Sequence, residues 1–119
     1  MTLKIRRVYA PVEKSDGVRI LVDRLWPRGI SREKARIDEW MKEIAPSTTL
    51  RKRFHHQPER WEEFRKLYRL ELEDDDKKAM IRRLRSTSRK GTLTLLFAAK
   101  DEEHNNAVAL ASIIFARKQ

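Results

Sequence analysis

Cysteine is absent from this chain of 119 residues, which excludes a disulfide scaffold, a thiolate zinc site and a cysteine nucleophile. Glycine and proline are scarce, with 3 and 4 residues, and this argues against disorder, collagen-like sequence and an all-β design rich in turns. Length and composition together indicate one domain, residues 1–119, with a single helix-rich core.

Long apolar runs are absent as well. No stretch reaches the ~18 residues that a membrane-spanning helix needs. The N-terminal sequence MTLKIRRVYA lacks the apolar centre of a signal peptide. We therefore expect a cytoplasmic protein that does not contact membranes.

The motifs of metal, cofactor and serine-nucleophile sites are missing too. His55 and His56 are adjacent and cannot both face one ion comfortably from a helix, and the third histidine is far along the chain. Neither a glycine-rich nucleotide loop nor a G-x-S-x-G turn occurs. The sequence predicts no metal site and no cofactor.

Positive charge is in excess. The chain has 28 Lys and Arg against 18 Asp and Glu, a formal net charge of +10, and residues 1–58 carry most of the surplus. Such a surplus attracts nucleic acids or phosphorylated ligands, but it also keeps helix surfaces soluble. Charge alone leaves these functions open.

Three segments have the pattern of strands. Residues 3–9 place apolar side chains among basic ones, as in a strand near a sheet edge. Residues 18–25 (VRILVDRL) have an unbroken apolar centre, and residues 92–98 (TLTLLFA) are rich in β-branched and aromatic side chains, so both are predicted to be buried strands.

Apolar periodicity predicts about five helices. The clearest stripe predicts a helix that Ser31 caps and that ends before Pro46, and its members are Ile37, Trp40, Met41 and Ile44. The other predicted helices lie at about 47–56, 58–72, 74–86 and 103–117, and Ser47 is predicted to cap the first of them.

Two buried strands joined by a long helical excursion imply a right-handed crossover, and therefore a parallel pair. We expect a small α/β fold of about three strands in which 18–25 and 92–98 are parallel and adjacent. The direction of strand 3–9 stays open.

Polar residues follow both buried strands, DRLWPRG after the first and AAKDEEHNNA after the second. Open α/β sheets bind ligands at the edge where parallel strands end. Arg24 and Arg28 bracket a tight turn and are predicted to clamp an anion, with Trp26 beside them to stack on a ring. The alternative is structural, with Arg24 paired to Asp23 or Asp38.

At the second exit, Asp101 is predicted to cap the last helix, which leaves His104, Asn105 and Asn106 in a first turn that favours a bound anion. His104 is the candidate proton carrier, because imidazole titrates near neutral pH, and Asp23 or Asp101 would orient it. The structural alternative is that these residues only close the helix start.

Three functional hypotheses follow. The leading one is a cleft for a phosphate-containing or nucleotide-like anion, which binds the ligand with or without acid–base catalysis of a hydrolysis, transfer or isomerisation. The second is non-specific nucleic-acid binding through Arg51, Lys52, Arg53, Arg82, Arg83 and Arg85. The third is a structural or partner-binding domain. The oligomeric state stays open.

The motif residues of both exits and of the first helices also carry a resemblance to a known family. These residues are Asp16, Gly17, Arg19, Asp23, Arg24, Trp26, Pro27, Arg28, Gly29, Asp38, Trp40, Pro46, Ser47, Leu50, Arg51, Phe54, His104, Asn105 and Asn106. With them, nearly the whole chain resembles the YeaO-like family of small prokaryotic proteins (domain of unknown function family 488). The resemblance implies a compact cytosolic α/β protein and supplies no established reaction. Longer relatives carry cysteine near the second exit, where this chain has Phe97 and Asn105.

Overall fold

The sheet contains four parallel strands in a computed structural model that describes residues 2–116. The strands are β1 (Thr2–Arg7), β2 (Val18–Leu21), β3 (Glu39–Trp40) and β4 (Thr92–Phe97). They lie in the order β1-β4-β2-β3. The α/β class is confirmed, and so is the parallel pairing of the two buried strands, with Val18 opposite Leu93 and Leu21 opposite Leu96. β1 is an edge strand parallel to β4.

Four α-helices lie within residues 2–116: α1 (Thr48–Phe54), α2 (Trp61–Glu71), α3 (Asp75–Lys90) and α4 (Asn106–Phe115). Short 3-10 turns occupy Lys14–Asp16, Lys42–Ile44 and Pro58–Arg60. The Ser47 hydroxyl accepts a hydrogen bond from Leu50 N at 3.1 Å, so the predicted cap of α1 is present. None of these helices has the length and apolarity that a membrane crossing requires.

The two faces of the sheet are covered by different parts of the chain. Because strand side chains alternate, Leu93, Leu95 and Phe97 of β4 belong to the same buried cluster as residues of the four helices, whereas Leu96 packs on the opposite face. The segment 26–40 covers that opposite face with a smaller apolar cluster. The helices and the C-terminal ends of the strands therefore meet along one side of the molecule.

The helix predicted between Ser31 and Pro46 is wrong. Its start signal is present, since the Ser31 hydroxyl accepts a hydrogen bond from Lys34 N at 3.1 Å. The turn ends at Arg36, which adopts a left-handed conformation with φ of 49°. The chain then extends and adds β3 to the edge of the sheet beside β2.

The apolar stripe of that segment serves both faces of the sheet. Ile37 and Trp40 belong to the cluster on the face away from the helices, while Met41 and Ile44 join the main core. The same spacing of apolar residues fits one face of a helix or a short strand and turn whose side chains reach both faces of the sheet. Periodicity alone does not distinguish these two structures.

β2 ends at Leu21, before the predicted end at Leu25. Val22 N still donates to the Leu96 carbonyl at 3.1 Å. The next donor of the ladder, Ala98 N, binds Oδ2 of Asp23 at 2.9 Å. A side-chain carboxylate therefore replaces the backbone ladder at this edge, and the chain after Asp23 turns out of the sheet.

A buried ion cluster fixes the loop between β1 and β2. Asp16 is fully buried, accepts a hydrogen bond from Lys4 Nζ at 2.6 Å and pairs with the Arg19 guanidinium. Burial raises the pKa of Asp16, but the hydrogen bond from Lys4 and the neighbouring charges outweigh it and hold that pKa below its ordinary value. The cluster places the chain at the start of β2.

Gly17, next to this cluster, has no room for a side chain. Its φ is +63°, and a Cβ would lie 2.2 Å from the Thr92 carbonyl oxygen. We predict that Gly17→Ala destabilises the fold by about 3 kcal/mol or more, because a backbone clash adds to left-handed strain. Chemical denaturation measures this loss.

Gly91→Ala is the matched control. Gly91 has extended backbone with φ of −179°, and no atom lies within 4 Å of the position of a Cβ. Its substitution should change the free energy of unfolding by less than about 0.5 kcal/mol. Equal losses in the two variants would contradict the account of Gly17.

Candidate functional site

A cleft of about 800 Å³ opens at the C-terminal ends of β2 and β4. Its walls are the segment after β2, the loop after β4 and the C-terminal half of α1. Every residue that the sequence predicts for the small-molecule site lines it: Asp23, Arg24, Trp26, Arg28, Asp101, His104, Asn105 and Asn106. The roles of these residues in binding or catalysis stay predictions.

Asp23 joins the two strand exits. Its Oδ2 accepts the hydrogen bond from Ala98 N, and its carbonyl oxygen accepts one from Trp40 Nε1 at 2.7 Å. Burial raises the pKa of the carboxyl group above its ordinary value, although the Ala98 N–H, the Asn106 amide and the charge of Arg51 act in the opposite direction. The cleft therefore contains a carboxyl group that has lost much of its hydration.

Asp101 and His104 form a hydrogen-bonded pair. Nδ1 of His104 lies 3.0 Å from Oδ2 of Asp101. The sequence offers Asp23 or Asp101 as the partner of the imidazole, and in the structure it is Asp101. The backbone N–H of Glu103, followed by the contacts of His104, lowers the pKa of Asp101. Trp61 packs edge-on against the imidazole, with ring centroids 5.3 Å apart. The arrangement fixes the orientation of the imidazole.

The predicted cap of the last helix is wrong, because α4 begins after Asn105 rather than after Asp101. Asp101 instead closes a turn by accepting from the backbone N–H groups of Glu103 and His104 at 2.9 and 3.0 Å. His104 consequently lies in the loop before α4 and not in its first turn.

The two asparagines hold this helix start in place. Asn105 Oδ1 accepts from Val108 N at 3.0 Å, and its Nδ2 donates to the Asp101 carbonyl at 3.0 Å. Asn106 Nδ2 donates to the Val22 carbonyl at 2.9 Å, which connects α4 to the end of β2. Asn105 is buried and both of its amide atoms are used within the protein.

Arg24 and Trp26 are also held by the protein. Arg24 donates from Nε and Nη2 to the carbonyl oxygens of Pro46 and Ala45, at 3.1 and 2.9 Å. Trp26 Nε1 donates to the Ile30 carbonyl at 2.8 Å, and the indole packs edge-on against Trp40. Among the described residues Arg24 makes no ion pair with Asp23 or Asp38, so the partners named in the structural alternative are wrong. Arg24 and Trp26 are nevertheless held by the fold, as that alternative expects.

The charged groups of four other cations on the cleft lining are not held by the described part of the protein. These four residues are Arg28, Arg51, Lys52 and Lys100. Within residues 2–116, no hydrogen bond or ion pair holds the charged group of any of them. With Arg24, the lining has five cationic side chains against the two carboxylates of Asp23 and Asp101. A concave surface of this composition has a positive potential that attracts anions.

The end of α1 is the part of the site that the sequence analysis misses. His55 and His56 line the cleft and both have left-handed backbone, with φ of 44° and 53°. This conformation is uncommon outside glycine. Pro58 indicates where the helix ends, but only the packing of α1 against α2 brings that end to the strand exits.

The basic residues of the nucleic-acid hypothesis do not form one free surface. Arg51 and Lys52 line the cleft, whereas Arg53 binds Glu63 at 2.8 and 3.0 Å. On α3, Arg83 binds Glu39 through both oxygens, Arg85 donates to the carbonyl oxygens of Ile113 and Ile114, and Arg82 is exposed. The charged groups of three of these six residues, Arg53, Arg83 and Arg85, are thus already bound within the protein.

The part of the chain that the structure describes contains no group of side chains arranged to bind a metal ion. There, no three His, Asp or Glu side chains are grouped so as to hold an ion.

The fold and the cleft define a small α/β protein with a cleft rich in cationic side chains at the ends of parallel strands. Residues 2–119 match a protein family described as "Inactive DUF488-N3 subclade". The chain belongs to this DUF488-N3i family and is YeaO-like, which confirms the resemblance seen in its motifs.

Two relatives illustrate the extent of the match. The chain is 48% identical over 111 residues to uncharacterized protein YeaO of Escherichia coli (strain K12), which covers 93% of this chain and 95% of the relative. It is 37% identical over 115 residues to uncharacterized protein Rv3073c of Mycobacterium tuberculosis, covering 97% and 95%. No solved structure matches the chain significantly.

The cap of α4 is testable by substitution. Asn105→Ala removes the acceptor for Val108 N and is expected to lower the free energy of unfolding by about 1–2 kcal/mol. Asn105→Ser keeps a neutral acceptor for Val108 N and should lose less than Asn105→Ala. Urea denaturation of the two variants gives both values, and equal stability of Asn105→Ala and the parent would show that the cap is dispensable.

Proposed function

We propose that this protein binds an anionic small molecule, phosphate-containing and nucleotide-like, in the cleft at the ends of β2 and β4. The observation that carries the proposal is the set of cations described above. Arg28, Arg51, Lys52 and Lys100 line one concavity, yet no hydrogen bond or ion pair within the described chain holds their charged groups. Arginine and lysine placed in this way bind phosphate through charge-assisted hydrogen bonds.

The size and apolar part of the cleft suit a ligand larger than a bare ion. A volume of about 800 Å³ is in the range of small-molecule and cofactor sites. Phe54 and Phe64 contribute aromatic surface to the lining, and Trp26 borders it. An anion that also carries a ring or sugar would use both kinds of surface.

Binding without turnover is the form of the proposal that the comparisons favour. The family is described as an inactive subclade, and anion sites need no catalysis in order to function. In that case the imidazole of His104, which Asp101 holds in one orientation, is a contact for the bound ligand. If turnover is nevertheless found, the same pair is the candidate acid–base group, and His104→Asn should abolish it.

A thermal-shift screen against phosphate esters, nucleotides and carboxylates tests the proposal. A ligand at ten times its Kd stabilises the native state by about 1.4 kcal/mol, which raises the Tm of a protein of this size by about 5 °C. The double variant Arg28→Ala, Lys52→Ala should lose most of this shift, because it removes two of the free cations of the cleft.

The matched control is Arg82→Ala, which removes an exposed arginine of α3 that does not line the cleft. It should retain the full shift. No shift from any anion, or equal shifts in all the variants, would contradict the proposal. Salt-sensitive retardation of DNA that depends on Arg82 rather than on Arg28 and Lys52 would instead support the nucleic-acid hypothesis.

A further inference from the structure

Asp23 does not fit a site that recognises only negative charge. Its carboxyl group lines the same cleft as the free cations, and it lies at the strand ends, where the cleft meets the sheet. An ionised carboxylate repels phosphate, so it would weaken a site designed for phosphate alone. The hydrogen bond from Ala98 N accounts for Oδ2 of this carboxyl group, but the second oxygen, Oδ1, needs a separate explanation.

Only half of the carboxyl group is used inside the protein. Oδ2 accepts the hydrogen bond from Ala98 N, while Oδ1 accepts no hydrogen bond of good geometry from residues 2–116. The Asn106 amide lies near the carboxyl group and lowers its pKa, but its Nδ2 donates to the Val22 carbonyl. Among the described side chains, the one buried polar atom without a partner is Arg6 Nε, so Oδ1 is not sealed within the protein. Because Asp23 lines the cleft, Oδ1 is open to that space.

An acceptor of this kind gains from a donor on the ligand. The carboxyl group is partly buried and Oδ2 is bonded to Ala98 N, so a hydroxyl or amino group of a ligand that reaches Oδ1 would make a charge-assisted hydrogen bond there. Sites that contain such a buried polar group reject ligands that lack the matching donor.

We propose that Asp23 is a specificity-determining residue of the cleft, which selects phosphorylated ligands that also carry hydroxyl or amino donors, such as sugar phosphates and nucleotides. The inference rests on the proposed function, since the cations must first bind the phosphate. The two kinds of side chain then contact different parts of one ligand. The anionic group is bound by Arg28, Arg51, Lys52 and Lys100, and a neutral donor of the same molecule is bound by Oδ1 of Asp23.

Ribose 5-phosphate and pentyl phosphate form a matched pair of probes. Both have a phosphate on five carbons, and only the first has hydroxyl groups. Calorimetry on the parent protein should show ribose 5-phosphate binding at least about tenfold more tightly, as expected for one hydrogen bond to a charged acceptor. Equal or tighter binding of pentyl phosphate would overturn the inference.

The variant Asp23→Asn tests whether this preference arises from Asp23. It keeps an acceptor for Ala98 N but loses the carboxylate, so the preference for ribose 5-phosphate should fall to about twofold or less, while pentyl phosphate binds as well as before or better. Glu102→Gln is the matched control: it removes an exposed carboxylate of the same loop that does not line the cleft, and it should keep the preference. A preference that persists in Asp23→Asn overturns the assignment.

The outcomes separate this inference from the function on which it rests. If neither probe nor inorganic phosphate binds the parent protein, the proposed function fails and the inference fails with it. If both probes bind equally, the anion site stands and only the role of Asp23 is lost. If Asp23→Asn does not fold, as circular dichroism would show, the two probes compared on the parent protein still decide the preference.

Discussion

The parallel pairing of β2 with β4, and the hydrogen bond from Ala98 N to Asp23 that ends it, determine where everything else in this molecule lies. The pairing places two polar segments, separated by most of the chain, at one edge of the sheet. The Asp23 carboxylate then takes the place of a backbone acceptor, which lets the chain leave β2 and form one wall of the cleft. Asn106 binds the Val22 carbonyl and fixes the start of α4 to the same edge.

The charged residues around this edge fall into two groups with different physical roles. Arg24 uses its guanidinium to bind backbone carbonyl groups, and Arg53 and Arg83 make bidentate pairs with glutamates, so these residues stabilise the fold. The cations that face the cleft make no such bonds within the described chain. The net charge of +10 is therefore a poor guide to function, and the partners of each cation are a better one.

Sequence reasoning finds those features that local physics specifies. The two buried strands, the cap at Ser47 and the convergence of the strand exits all follow from apolar runs, capping residues and crossover rules. β3 is not found, because Trp40 and Met41 suit a helix stripe as well as an extended segment and only pairing with β2 decides between them. The contribution of α1 to the site is missed for the same reason, since packing between helices places His55 and His56. The cap of α4 is misassigned because Asp101 and Asn105 are both good capping residues, and only tertiary contacts determine which of them caps the helix.

The central claim is that one cleft, at the ends of β2 and β4, binds phosphate-containing anions. An NMR titration of the ¹⁵N-labelled protein with a nucleoside monophosphate tests it most directly, because every backbone N–H reports its own surroundings. The account predicts saturable shifts confined to residues 23–28, 51–56 and 98–106, which line the cleft. Shifts centred on α3, or none at millimolar ligand, would contradict it.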